Sequence, residues 1–447
     1  MAAQRIEQRH PLGARSSRPG ARGCGAASAA AHPSGFTVLE LLVSVSLIAV
    51  VMTIVLTTFD VNSALSRVQQ DVAELQQSVR VAQREIGRNA RMTGRGGLPR
   101  PLAIRVTQDV PPGISIGSDD DGRVLPGTDV LTLRGTFQSP IYKVEAGDED
   151  TFTIDGNTAT LFIDDVTRSG FEQSLDRLAE LASGGGGGAD PEPILLVSRQ
   201  GDTIYAVVEL ANITIGTVQL PQGNTVNRAT LTLNISPAEG MHTTEYLALS
   251  SGGAFPAALT SVLFASVLEE FRYYIREDHT IPGDDSSPLS PKLSRARIVP
   301  GTGVDPVTGA VVLGTETVHP EAGSIAVDIA DGVFDLQLAL GIDLDADGVV
   351  DERDDDGVPL AGEADEWLWN HADDDEGLGW DASTLRLVRL SFLGQAGRPD
   401  RQYIAPAIVT LENRDYSEPQ VPTVAAEIAA RRYRRRMLQS VIDLRNL

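Results

Sequence analysis

The residues best placed to do chemistry in this chain are carboxylates. Asp343, Asp345, Asp347, Asp351 and Asp354 stand at positions 1, 3, 5, 9 and 12 of one run, with Gly348 at position 6 and the apolar Val350 at position 8. A hard cation such as calcium takes about six to eight oxygens, and this spacing turns alternating side chains toward one point around a glycine turn. These five are the expected metal ligands, and calcium is the expected ion. Position 12 is Asp where a Glu would reach further. An overlapping frame through Glu352, Asp354, Asp356, Gly357 and Glu363 competes for some of the same residues. The wider segment 343–376 holds 15 carboxylates against Arg353 as its one Lys or Arg. It is either a solvated acidic loop or a cluster whose repulsion a cation relieves. Asp119-Asp120-Asp121-Gly122 lacks a first ligand, because Gly117 holds that position, and reads as a turn.

A sixth carboxylate stands out by its surroundings. Glu40 is the single charge in Val38–Leu56, 19 residues reading VLELLVSVSLIAVVMTIVL. That is close to the roughly 20 needed to cross a bilayer core. A carboxylate there is costly unless it lies among headgroups or meets a cation. A cut after Gly35 would supply a cation, because the new amine on Phe36 falls one helical turn from Glu40, on the same chain or a neighbour. Other chemistry is thinly supported. Gly113-Ile114-Ser115-Ile116-Gly117 has the letters of a nucleophile elbow, but an elbow needs a helix after its serine, and Ser118-Asp119-Asp120-Asp121-Gly122 follows. The six histidines form no HExxH, and no phosphate loop or dinucleotide fingerprint occurs. Neither enzymatic activity nor an organic cofactor is expected.

These residues sit in an unevenly charged chain of 447 residues. Residues 1–35 carry five arginines against Glu7, whereas the remainder has 32 basic and 60 acidic residues, a formal −28. So acidic a body excludes nucleic acid as a partner. The lone Cys24 excludes a disulfide framework and CxxC sites. With 22% charged and 42% hydrophobic residues, bulk disorder is excluded too. The positive-inside rule keeps 1–35 in the cytoplasm and sends the rest outward. The apolar stretch exceeds a secretory h-region and no A-x-A site follows, so the helix is expected to be retained.

Past the apolar run, Val61, Leu65, Val68, Val72, Leu75, Val79, Ala82 and Ile86 recur at alternating steps of four and three. This predicts one helix from Phe36 to about Met92, roughly 85 Å long, apolar all round in its first half and amphipathic in its second. The stripe is expected to pack on the chain's own sheet; the other option is an independent coiled coil. Beyond Pro99, short alternating runs predict strands at Asp129–Arg134, Ala159–Asp164, Ile194–Ser198, Thr203–Glu209, Ala229–Ile235, Glu270–Arg276, Val333–Ile342 and Leu385–Leu393. A short helix is predicted around Gly170–Leu181. The expected fold class is α+β: a long N-terminal helix packed on an enlarged antiparallel β head. The expected divisions are a leader 1–35, a membrane half-helix 36–59, an amphipathic half-helix 60–98 and a head 99–447. Within the head, a Gly-rich loop at 183–189 reads as a surface loop more than as a boundary between lobes.

Gly35-Phe36-Thr37-Val38-Leu39-Glu40-Leu41-Leu42-Val43, behind a basic leader, resembles the class III signal of type IV prepilins and pseudopilins. The resemblance implies cleavage after Gly35 by the prepilin peptidase, N-methylation of Phe36, and docking of Glu40 to a neighbouring subunit's N-terminus. The 35-residue leader is long for that family. Further segments resemble a PilW-like minor pilin: Phe271–Ile275 followed by Lys292–Ile298, Asp331–Gln337, Gly341–Asp343, Leu387–Leu393, and the ending from Tyr433 to Asn446. Residues 100–260 resemble nothing nameable. The implied role is a minor pilin or pseudopilin, a structural subunit that primes assembly or sits at the tip of a type IV pilus or type II secretion-like filament. The implied partners are other major and minor pilins, the peptidase and N-methyltransferase, and the inner-membrane assembly platform. The implied location is the bacterial inner membrane, single-pass with the head outside, and then the filament at the cell surface. The alternative is a signal-anchored extracellular calcium-binding adhesin or interaction module outside any filament. Two arginine clusters, Arg80–Arg95 and Arg431–Arg436, either pair with the chain's own acids or complement acidic neighbours.

Overall fold

The structure, a computed structural model, describes residues 37–117, 122–144, 151–167, 169–184, 192–200, 202–219, 223–281, 284, 286–305, 310–319, 327–344, 346–350, 366–370, 384–400 and 403–444. It divides into two units, 1–65 and 66–447. One unbroken helix, Val38–Met92, crosses that division and ends where the glycines begin. The class is α+β, a long apolar N-terminal helix followed by antiparallel sheets.

Within the second unit the helix packs on two sheets. The first runs Ile104–Thr107, Val130–Gly135, Glu269–Arg276, Lys292–Ile298, Val327–Asp331 in spatial order. The second runs Trp367–Leu368, Val333–Ile342, Leu385–Pro399, Tyr433–Asp443. Leu75, Val79, Ala82, Ile86 and Ala90 share one core with Leu133, Phe271 and Tyr273 of the first sheet and Leu338, Phe392 and Ile442 of the second. Gly394 lets the helix come this close, because a Cβ there would lie 2.6 Å from Leu75 Cδ1. Polar contacts fix the rotation of the helix: Asn89 Nδ2 donates to the Tyr273 hydroxyl, and Arg295 pairs with Glu85 at 2.7 Å. The expected stripe therefore finds the chain's own sheets from Leu75 onward. Val61 and Leu65 remain exposed.

A third sheet is an insertion. The chain leaves the first sheet at Gly135 and returns at Glu269, and these two residues are register partners in adjacent strands. Between them lie all seven strands of an antiparallel sheet: Tyr142–Lys143, Phe264–Val267, Pro193–Gln200, Asp202–Gln219, Thr225–Asn234, Thr158–Asp164, Phe152–Asp155. This sheet has its own core, including Leu161, Leu196, Val208, Leu231 and Val267. Buried carboxylates tie its neck. Glu269 accepts the amides of Phe137 and Gln138 at 2.9 and 2.7 Å, and Glu270 is held between Arg134 and Arg272 at 2.6 and 2.9 Å. Although burial pushes the Glu270 carboxyl up, the two guanidinium groups hold it below the usual carboxylate value.

The strand expected at Thr203–Glu209 runs on to Gln219, because a bulge between Leu210 and Asn212 carries it past the break in alternation. The helix expected from Gly170 starts only at Asp176. Residues before it bridge back to the sheet instead, through Val166–Glu172 pairing and a Gln173 amide donating to the Asp165 carbonyl. The expected loop 183–189 falls mostly outside the described residues.

Candidate functional site

The N-terminal end of the helix is built by a capping box. Thr37 precedes the first helical residue, Val38. The Thr37 hydroxyl accepts the Glu40 amide, and Glu40 Oε2 accepts the Thr37 amide, both at 3.3 Å. The residue pattern, Thr followed three residues later by Glu at the head of an apolar run, is the standard reciprocal cap. Sequence reasoning weighed Glu40 only for its charge and missed this signal. A cap of this kind is worth about 1 kcal/mol. It also fixes the Glu40 carboxylate beside the backbone of Thr37, next to the expected cut. Gly35 and Phe36 themselves lie outside the described residues.

From Val38 on, the helix presents apolar side chains in every direction. Its most apolar 18-residue window has a mean hydropathy of 2.6, and none of that window is buried. Its hydroxyls are satisfied within the helix: Ser44, Ser46, Thr53 and Thr58 donate to carbonyls four residues back at 2.7–2.8 Å. A segment whose backbone and side-chain polar groups are all paired internally is suited to a medium without water.

The two arginine clusters differ. Arg431 is buried and donates to the carbonyls of Ala405 and Pro419, Arg434 pairs with Asp400 at 2.9 Å, and Arg435 pairs with Glu418 at 2.5 Å. That cluster belongs to the fold. On the helix, Arg80, Arg84, Arg88 and Arg91 instead line a groove of about 730 Å³ beside Ser440 and Ile442 of the edge strand Tyr433–Asp443.

In the acidic segment the structure describes only part of the expected ligand set. Asp343 is 2% exposed at the end of strand Val333–Ile342. Its Oδ2 accepts the Gly348 amide at 3.2 Å and contacts Arg386 Nε, whereas its buried Oδ1 has no hydrogen-bond partner. Exposed Asp347 accepts the Val349 amide at 2.7 Å. Asp345, Asp351 and Asp354 lie outside the described residues, as do Asp119, Asp120 and Asp121. Among the described residues no group of three or more His, Cys, Asp or Glu is gathered as a metal site. Ser115 lies in a hairpin, with the Ile116 amide donating to Gly122 O and the Val124 amide to Ile114 O, rather than at a strand-to-helix elbow.

With this geometry in place, comparison with known proteins gives one finding. Residues 32–56 match the prokaryotic N-terminal methylation motif, the class III signal of type IV pilin-like precursors. The matched residues span the Gly35–Phe36 junction, the Thr37–Glu40 cap and the apolar helix. The motif supports reading the chain as a membrane-anchored precursor of pilin or pseudopilin type. No curated protein and no solved structure matches the chain.

Proposed function

We propose that this protein is a minor pilin or pseudopilin, a non-enzymatic subunit that primes assembly of a type IV pilus or type II secretion-like filament or sits at its tip. The observation that carries this reading is the methylation motif over residues 32–56, placed on a capped helix whose apolar window is wholly uncovered. The prepilin peptidase cuts leader 1–35 away after Gly35 and methylates Phe36. The half-helix 36–59 is stored in the inner membrane with the head outside. The assembly platform then draws it out among the helices of other pilins, which replace lipid around it. Glu40 meets the N-terminal amine of a neighbouring subunit and sets its register. The PilW-like order of the strands Glu269–Arg276, Lys292–Ile298, Val333–Ile342, Leu385–Pro399 and Tyr433–Asp443 supports a minor rather than a major subunit. The 133-residue insertion makes a head too large for repeated use in a shaft. The open arginine groove on the helix offers charge complementarity to acidic neighbours.

The test replaces Glu40 with Ala in cells that assemble the filament. Membrane insertion is expected to persist, because the apolar run is intact, while recovery of the subunit in sheared filaments falls severalfold. Unchanged recovery would contradict the role given to Glu40.

A further inference from the structure

We propose that the loop beginning at Asp343 is a calcium site, with Asp343 as its buried anchor. This goes beyond the filament role and does not depend on it. Three features of the described residues carry the proposal. First, Asp343 is 2% exposed, and its two carboxylate oxygens are treated differently. Oδ2 is engaged by the Gly348 amide and by Arg386, while Oδ1 is buried with no donor at all. A buried carboxylate oxygen without a donor costs on the order of 1–3 kcal/mol, so its persistence asks for a positive partner. One oxygen satisfied by the backbone and one open is the arrangement of a monodentate metal ligand.

Second, the chain curls around that oxygen. Gly348, at position 6, takes φ 96, and Ala346, a residue with a side chain, takes φ 63. The turn brings the Gly348 amide back onto Asp343, five residues earlier, and leaves Asp347 exposed at position 5. Third, the far side of the loop is docked on the sheet. Gly341 leaves room for Val350, the apolar position 8, and for Trp367: a Cβ at Gly341 would lie 3.0 Å from Val350 Cγ1 and 3.4 Å from the Trp367 ring. The loop is therefore held at both ends of its turn.

Asp343 and Asp347 are the ligands on described residues. The spacing assigns positions 3, 9 and 12 to Asp345, Asp351 and Asp354. Oxygen-only donors of this kind suit a hard divalent ion, and an exposed loop of this type binds calcium at about 10⁻⁴–10⁻³ M, the range of extracellular modules. Arg386 stays on Oδ2 and does not compete for Oδ1.

The test uses the full-length protein in detergent. Terbium, a luminescent stand-in for calcium, is titrated with excitation of the tryptophans, and calcium is then used to displace it. Trp367, packed at Gly341, is the nearby sensitiser. Sensitised emission that calcium reverses and magnesium does not is expected, together with a rise in the thermal unfolding midpoint on adding calcium. Asp347→Asn, at an exposed position that the fold does not need, is expected to weaken calcium binding at least about tenfold. Asp343→Asn is expected to abolish it. Absence of sensitised emission in the wild-type protein, or equal calcium affinity in Asp347→Asn, overturns the proposal. Methylation of Phe36 is unaffected by either result, so failure here and failure of the filament role are separable.

Discussion

Leu65 and Ile86 occupy one stripe of one helix, yet 53% of Leu65 is exposed and none of Ile86. The difference lies in what the chain supplies to cover them. From Leu75 onward two sheets close over the stripe. Between Val38 and Leu65 no residue is buried, although the side chains are more apolar there than in the covered half. A Leu, Ile or Val removed from water gains about 2 kcal/mol. Leaving the run Leu39–Leu56 in water would thus cost on the order of 20 kcal/mol, more than a domain's typical net stability of about 5–15 kcal/mol. The same physics that folds the upper half obliges the lower half to borrow its surroundings, first from lipid and then, in the proposed filament, from other helices.

The comparison breaks if both halves respond alike to truncation. Ile86→Ala should lower the stability of the detergent-solubilised protein by about 2–5 kcal/mol in chemical denaturation, because it opens a cavity between the helix and both sheets. Leu65→Ala should change it by no more than about 0.5 kcal/mol. In filament recovery the order should reverse, with Leu65→Ala impaired despite normal stability.

Acid titration sharpens the contrast, because the covering sheets contain buried carboxyls. Asp129 accepts the amides of Asp109 and Leu338 at 3.1 and 2.8 Å, joining the two sheets that cover the helix. Burial pushes its carboxyl well up despite those bonds, and burial also raises Asp335, against the pull of Arg414 and Tyr416. Native pKa values above the unfolded 3.8 mean that the folded state binds protons more tightly. The stability they contribute is present below pH 3.8 and is lost as pH rises through the native values. Asp129→Asn should flatten this part of the stability–pH profile measured by urea midpoints. An unchanged slope would show that Asp129 does not titrate as its burial requires.

The smallest expected effects separate the two jobs of Glu40. Glu40→Gln keeps an oxygen for the Thr37 amide but loses the charge, so helix initiation should persist while filament recovery falls. Thr37→Ala should do the reverse, weakening the first turn by about 1 kcal/mol, read as faster amide exchange there, with the docking charge intact.

The sequence announced the parts governed by local rules. The helix ends at Met92 because glycines follow it, and strand Val333–Ile342 has its predicted bounds because its apolar run is continuous and flanked by breakers. The segments that resemble minor pilins prove to be mutual neighbours: Glu269–Arg276 pairs with Lys292–Ile298, and Leu385–Pro399 pairs with both Val333–Ile342 and Tyr433–Asp443. Residues 100–260, which resembled nothing, supply most of the inserted sheet. Its attachment was illegible because Gly135 and Glu269 are adjacent only through a register that no local pattern encodes. The capping box was legible in Thr37 and Glu40 and was passed over. The orphaned Oδ1 of Asp343 depends on tertiary burial, which spacing alone does not reveal.

The central claim is that proteolysis at the Gly35–Phe36 bond makes the uncovered half-helix an assembly element. Mass spectrometry of the N-terminal peptide of the protein purified from its own cells tests this most directly. The account predicts a peptide that begins at Phe36 and is heavier by one methyl group. A peptide that begins upstream of Phe36, or an unmethylated terminus elsewhere in the apolar run, would contradict it.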